Sequence, residues 1–300
     1  MKGEPLARQR RHTIYFLEEI AGFAPVFLDT EVDMTRVREH RGAAKEAGRR
    51  YGVVSYVLHS AARVLARHPQ ANAAIHGRAR PRIAEYDDVN GKVTFDKTIE
   101  GQRAVLSTVL TSLQRAELDD IQRQIEHFRD GNPETMPEFE ALRKLQKLPP
   151  WLARFLFHRA TRPLGSRQTR MGTFAVTSLG HRAVDGFQSV GGTAVTFGVG
   201  RVLDRPVVRD GRVTIAPVMR LSLAFDHRVI DGAEAADVLT ETKEALESVP
   251  PFAPPLAAAV PSGASTSAST STSASASISA STSAAAPTAA SAPAARVREG

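Results

Sequence analysis

The sequence predicts an α+β sandwich, on three observations. Helical patterns crowd the first half of the chain, and strand patterns crowd the stretch from residue 173 to residue 225. The later strands are long and alternate apolar with polar positions. The regular strand–helix alternation of a doubly wound parallel sheet does not occur.

In chain order, residues 1–12 are basic and polar and read as a flexible arm ahead of a domain spanning residues 13–252. Residues 25–33 read as a strand, and residues 34–50 as a helix rich in Arg, Lys and Ala that breaks near Gly52. Residues 55–67 form a second helix, with Val57, Leu58, Ala61, Ala62, Val64 and Leu65 as a broad apolar face, stopped at His68-Pro69. Residues 93–95 and 104–110 read as paired strands around Glu100-Gly101. Residues 112–129 form an amphipathic helix with Leu118, Ile121, Ile125 and Phe128 on one stripe. Strands at 173–178, 193–199 and 212–215 follow.

The most informative stretch begins at Val218. Met219, Leu221, Leu223 and Phe225 form one apolar face of a strand, with Val218, Arg220, Ser222 and Ala224 on the other. His227 falls just past the strand end, followed by Asp231, Gly232 and a helical pattern with Ala233, Ala236, Val238, Leu239 and Leu246. A histidine at a strand-to-helix corner is held by rigid elements yet open to a cleft, as a general base requires. Helix chemistry offers a second explanation, in which Asp231 and Glu234 make a capping box and Gly232 a tight turn.

Composition narrows the chemistry. The 300 residues contain no cysteine, so disulfides, thiolate metal ligands and a catalytic thiol are excluded, and any thiol belongs to a substrate. The net charge of +7 favours anionic partners. No apolar run is long enough to span a bilayer and no signal peptide is legible, so the expected address is the cytoplasm.

The segment Asp226-His227-Arg228-Val229-Ile230-Asp231-Gly232-Ala233 resembles the signature of the acyltransferase component of 2-oxo acid dehydrogenase complexes, whose catalytic domain is chloramphenicol acetyltransferase-like. Other landmarks fall in the same order: His68-Pro69-Gln70-Ala71-Asn72, Asp88-Val89-Asn90, Gly172-Thr173-Phe174-Ala175-Val176-Thr177-Ser178-Leu179-Gly180 and Gly198-Val199-Gly200. The resemblance covers about residues 10 to 250. It implies a two-layer sandwich with a mixed β-sheet and helices packed on one face.

The resemblance also implies a mechanism. His227 is the base for an attacking thiol, and Thr177 fills the position of the hydroxyl that donates to the oxyanion. Ser178 next door points to the opposite face of a regular strand. Asp231 holds the active-site loop, with Arg10 and Arg11 as candidate partners, and Ser178 and Gly232 are the candidate coenzyme contacts. Coenzyme A or an acyl-CoA enters as substrate, a lipoyl group only if another protein supplies it, and no metal or prosthetic group is required. The family's Pro-x-Gly-Leu-x-x-Pro-Val strand is replaced here by Ile99-Glu100-Gly101-Gln102-Arg103-Ala104-Val105-Leu106. In the family the site lies between subunits of a trimer. Cubic cores form when an apolar C-terminal anchor enters a neighbouring trimer. Here Phe252 and Leu256 stand among Pro250, Pro251, Pro254 and Pro255, so a closed homotrimer without a cubic core is expected.

Two segments depart from the family. Residues 137–170 form a basic amphipathic insertion, and residues 141–170 contain no acid. Leu142, Leu145 and Leu148, then Trp151, Leu152, Phe155 and Leu156, recur at helical spacing. That segment either docks on an anionic membrane or partner, or packs its apolar stripe on the domain while its charges meet solvent or substrate phosphates. Residues 253–300 are rich in Ala, Ser and Thr, and the expectation is a disordered tail. The family's lipoyl and subunit-binding domains are expected to be absent, which makes a non-catalytic assembly scaffold the alternative. Nucleic acid is not an expected partner.

Overall fold

The computed structural model describes residues 6–77, 79–253 and 296–298. The chain enters through a 3-10 turn, Arg8–Arg10, into α1 (Arg11–Ile20). Of the expected arm, residues 1–5 lie outside the described residues, while farther on Gln9 donates to Glu100 at 2.5 Å and His12 Nε2 lies 3.1 Å from the Val105 carbonyl oxygen. Then come β1 (Pro25–Asp33), α2 (Thr35–Glu46) and α3 (Val53–Leu65). Two short strands not expected from the sequence, β2 (Ala73–His76) and β3 (Arg82–Glu85), pair with each other. The hairpin of β4 (Gly91–Ile99) and β5 (Gln102–Leu110) turns at Glu100 and Gly101, both with positive φ. α4 (Leu118–Asp130) begins later than expected, since Ser112 adopts φ 53° and a 3-10 turn, Leu113–Arg115, intervenes.

The basic segment folds as α5 (Glu140–Lys147), α6 (Pro150–Thr161) and α7 (Leu164–Arg170). β6 (Phe174–Ser178), β7 (Val195–Arg209), β8 (Arg212–Asp226) and α8 (Gly232–Glu247) complete the domain. A further short strand, β9 (Arg296–Arg298), pairs with β3, while the rest of the expected disordered tail, 254–295 and 299–300, lies outside the described residues.

Six strands form the main sheet in the order β1-β8-β7-β6-β4-β5. β6 runs parallel to both β4 and β7, and the remaining pairs are antiparallel, so the sheet is mixed as expected. α3 and α8 pack together over one face. Leu58, Ala61 and Leu65 of α3, and Ala235, Val238 and Leu246 of α8, are buried in one cluster with Phe174, Val176, Phe197, Leu221 and Leu223. Full burial of each large apolar side chain contributes about 1.5–3 kcal/mol. At the end of the domain, Phe252 packs edge-on against His40 of α2, with ring centroids 5.3 Å apart.

The expected strands at 212–215 and 218–225 are one element, β8, and β7 is correspondingly longer than residues 193–199. Pro217 made the run look interrupted. It sits just past the end of β1, where Asp33 pairs Val218, and the Pro217 carbonyl accepts from Met34 N–H on that side. The missing proline N–H thus points where no strand partner waits.

The other sheet face carries Ala175, Thr196, Gly198, Gly200 and Ala224, on residues that alternate with the core positions. A segment running from His181 to Gly192 lies flat on it. A Cβ at Gly198 or Gly200 would collide with the carbonyl oxygens of Phe187 and Asp185, so close backbone approach explains both glycines. Lys92 of β4 is buried here, its Nζ donating to the Gly191 carbonyl at 2.7 Å and lying 4.3 Å from the Phe16 ring centroid. Burial, and then the charge of Arg167, push its pKa down to about 7.

α6 and α7 of the basic segment are held through α1. Glu18 pairs Arg154 at 2.8 Å and lies 3.2 Å from His158 Nε2, while Glu19 takes Arg162 at 3.1 Å and Arg167 at 3.2 Å. Burial opposes the charge on Glu19, but Arg162 and Arg167 outweigh it and hold the carboxyl below its ordinary pKa. Much of the insertion's positive charge is thus neutralised within the domain. Leu142, Leu145 and Leu148 are half-buried, as packing predicts, but Trp151 and Phe155 are not.

Candidate active site

β8 leaves the sheet at Asp226, and His227 comes next. The His227 N–H donates to the Ala24 carbonyl oxygen at 2.9 Å. Asp226 is buried and fixes the corner: it accepts from Arg228 Nε at 2.9 Å, Arg228 Nη2 at 2.6 Å and Ala24 N–H at 3.3 Å. The N–H groups of Val229 and Ile230 fold back onto the Asp226 carbonyl. The His227 imidazole stays half exposed, with Nδ1 3.6 Å from Asp231 Oδ1. That separation is outside hydrogen-bond range and inside ion-pair range.

Asp231 precedes α8 as its N-cap residue, yet its side chain caps no helix N–H. The capping-box explanation fails because Glu234 turns elsewhere, accepting from His68 Nδ1 at 2.9 Å, while His68 Nε2 meets Glu241 at 3.1 Å. The Asp231 carboxylate is instead exposed beside the His227 ring. Neither Arg10 nor Arg11 pairs with it; among the described residues its ion-pair partner is His227. Gly232 opens α8 with nothing within 4 Å of a would-be Cβ, so no strain or crowding inside this chain calls for glycine there.

His68 went unread as an element of the site's support. It bridges Glu234 and Glu241 across about two turns of α8 and so steadies the helix that follows the His227 loop. Burial lowers its pKa, but the hydrogen bonds to Glu234 and Glu241 prevail and raise it above 6.5. Donation from both ring nitrogens requires the protonated ring. A raised folded pKa gives stability that is complete below the unfolded value and is lost as pH rises through the folded value. The stability gap between the protein and His68→Ala is therefore expected to shrink as pH rises from 6 through His68's folded pKa toward 9, measured by thermal melts. A gap that widens over that range contradicts the assignment.

Thr177 lies near the C-terminal end of β6 and lines a cavity of about 890 Å³. Thr94, Phe95 and Val105 form its floor, and Val54 and Ser55 of α3 with Gln122 and Ile125 of α4 form its wall. Arg10, His181 and Arg182 also line it, and its one acid, Asp96, is engaged by Arg103 at 2.7 and 2.9 Å. The cavity is therefore electropositive. Ser178 reaches the same cavity because the strand ends there, but its Oγ accepts from Gly180 N–H at 3.3 Å. Thr177 Oγ1 has no hydrogen-bond partner among the described residues, so its hydroxyl is available to a ligand. No cation of the insertion lines this cavity, contrary to one expectation for that segment. Among the described residues, no cluster of three or more His, Asp or Glu is placed to hold a metal ion.

Sheet register separates the two candidates. Thr177 pairs Gly198, Gly198 pairs Ser222, and His227 lies five residues beyond Ser222. With strand spacings of about 4.8 Å and a rise of about 3.3 Å per residue, the two backbones are roughly 19 Å apart. The hydroxyl and the imidazole do not meet within one chain.

Residues 155–252 match the family described as 2-oxoacid dehydrogenases acyltransferase (catalytic domain). The chain is 26% identical over 235 residues to the dihydrolipoyllysine-residue succinyltransferase component of the 2-oxoglutarate dehydrogenase complex of Cupriavidus necator, covering 72% of this chain and 46% of that protein. The chain thus spans about half the length of such relatives. Its fold is that of the dihydrolipoamide acetyltransferase of Azotobacter vinelandii (TM-score 0.62, 19% identity, 83% and 92% of the two chains), a structure determined to examine a serine, a histidine and an asparagine in its mechanism. It is also that of the cubic core of a pyruvate dehydrogenase multienzyme complex (TM-score 0.60, 21% identity, 83% and 92% covered). The acyltransferase resemblance read from the motifs holds.

Proposed function

We propose that this chain, matched over residues 155–252 to an acyltransferase catalytic domain, moves an acyl group between coenzyme A and a thiol acceptor in the cytoplasm. The observation that carries the reading is the fixed corner at His227, with Asp231 beside the exposed ring. In the Azotobacter protein, the histidine and asparagine under study are likewise four residues apart.

His227 takes the proton from the acceptor S–H, and the thiolate attacks the thioester carbonyl carbon. Negative charge moves to the carbonyl oxygen, where the Thr177 hydroxyl donates to it. Collapse breaks the carbon–sulfur bond of the donor thioester, and the imidazolium returns its proton to the leaving thiolate. The electropositive cavity suits the phosphates of coenzyme A, and Ser178 and Gly232 are assigned as coenzyme contacts. An acceptor lipoyl arm is supplied by another protein.

The separation of Thr177 from His227 supports a site shared between subunits of a homotrimer. Phe252, seated against His40 of its own chain, favours a closed trimer over a cubic core. The test is turnover with a panel of acyl-CoAs against dihydrolipoamide and simple thiols, followed by release of free coenzyme A. The expected result is transfer from at least one donor. Silence across the panel, equal to that of His227→Ala, leaves the assembly scaffold as the reading.

A further inference from the structure

α6 has two unlike sides. Ala153 and Thr161 are buried, and Tyr15 of α1 meets Phe157 at 6.0 Å and donates to the Pro150 carbonyl at 3.3 Å. On the outer side, Trp151 is 72% exposed and Phe155 60% exposed, with Arg159 continuing the same four-residue stripe. Leu156 is also exposed, and so are Ile14 and Leu17 of the packed helix α1. Five large apolar side chains on two adjoining helices are more than scattered surface residues require.

Cations outnumber acids around them. Residues 141 to 184 contain no Asp or Glu. A cavity of about 450 Å³ between Phe155, Pro163, Arg159 and Arg162 opens beside the stripe. Glu18 and Glu19, the nearest carboxylates of α1, are consumed by Arg154, His158, Arg162 and Arg167. Arg159 and Lys147 have no ion-pair partner among the described residues.

We propose that this face docks on an anionic phospholipid surface. Trp151 and Phe155 enter the headgroup boundary, and a lipid phosphate pairs with Arg159 at the mouth of that cavity. Charge complementarity selects this occupant: an apolar partner alone does not need the unpaired Arg159 and Lys147 beside the stripe, and an indole suits a boundary with one apolar and one wet side. No described helix is long and apolar enough to cross a membrane. The inference is independent of acyl transfer.

Trp151 is the sole tryptophan of the chain, so its fluorescence reports on this face directly. The full chain is mixed with phosphatidylcholine vesicles with and without phosphatidylglycerol. A blue shift and co-flotation are expected only with phosphatidylglycerol, weakening as salt rises from about 0.05 to 0.5 M. Phe155→Ser and Arg159→Glu, both at exposed positions, are each expected to lower partitioning about tenfold. Val213→Ser with Ile215→Ser, at exposed positions of β8, is expected to leave it unchanged. Unshifted emission with phosphatidylglycerol, or equal flotation of Phe155→Ser and the parent, overturns the proposal. So does a vesicle-independent fall in molecular mass caused by Phe155→Ser, which makes the face a contact between copies.

Discussion

Replacing His227 by alanine is expected to lower acyl-transfer turnover by about a thousandfold or more, the scale of a lost general base with its oriented proton transfer. The fold has little reason to respond. The corner is held by Asp226, Arg228 and the Ala24 carbonyl, none of which contacts the imidazole ring as a hydrogen-bond partner. Thermal stability is therefore expected to stay close to that of the parent while turnover collapses. Thr177 gives a second, chemically distinct handle. Thr177→Val removes the donor and keeps the shape, with an expected loss of about a hundredfold, whereas Thr177→Ser keeps the hydroxyl and most of the rate. Steady-state turnover with the best donor of the panel decides it. A His227→Ala enzyme with parental turnover removes histidine from the chemistry, and equal rates for Thr177→Val and Thr177→Ser remove the hydroxyl.

Mixing two impaired variants is expected to restore activity. If each site takes its imidazole from one subunit and its hydroxyl from the next, His227→Ala and Thr177→Val subunits complement each other. After co-refolding at equal amounts, about a quarter of the sites in a cyclic trimer carry both intact groups. Turnover should then recover to about that share of the parental rate. Mixtures as inactive as the separate variants place both groups in one chain's site or in none, and a monomer by light scattering at micromolar concentration sinks the shared arrangement. The roughly 19 Å between Thr177 and His227 leaves the complementation experiment little middle ground.

Much of this site was legible because its signals are local. The alternation through Met219, Leu221, Leu223 and Phe225 reports one buried sheet face, and the turn after it places His227 without reference to any distant residue. α3 and the β4–β5 hairpin were legible for the same reason. What escaped depends on contacts distant in sequence. β2 and β3 have four residues each, too few for periodicity to register. Pro217 hid the length of β8 because its harmlessness depends on where β1 stops. Glu234 looked like a capping residue until His68, 166 positions earlier, claimed it. Whether Thr177 and Ser178 both open to the cavity depended on where β6 ends. The insertion's outward side could not be told from its inward side, since Trp151 and Phe157 differ only in which of them faces α1.

The pairing of β1 with β8 has a consequence for how the chain is made. Pro25 pairs Asp226, so β1 leaves the ribosome some 200 residues before its partner exists. At synthesis rates of about 5–20 residues per second, it waits roughly 10–40 s. During that time Val26, Phe27, Leu28 and Val32 form an unpaired apolar strand, the kind of segment that recruits other nascent chains. Asp29, Glu31 and Asp33 interrupt it with three like charges, which oppose pairing with another copy of itself. In the finished sheet, Arg220 lies opposite Glu31 and Arg209 bonds Asp33, so the charges that keep β1 solitary during synthesis also help secure it afterwards.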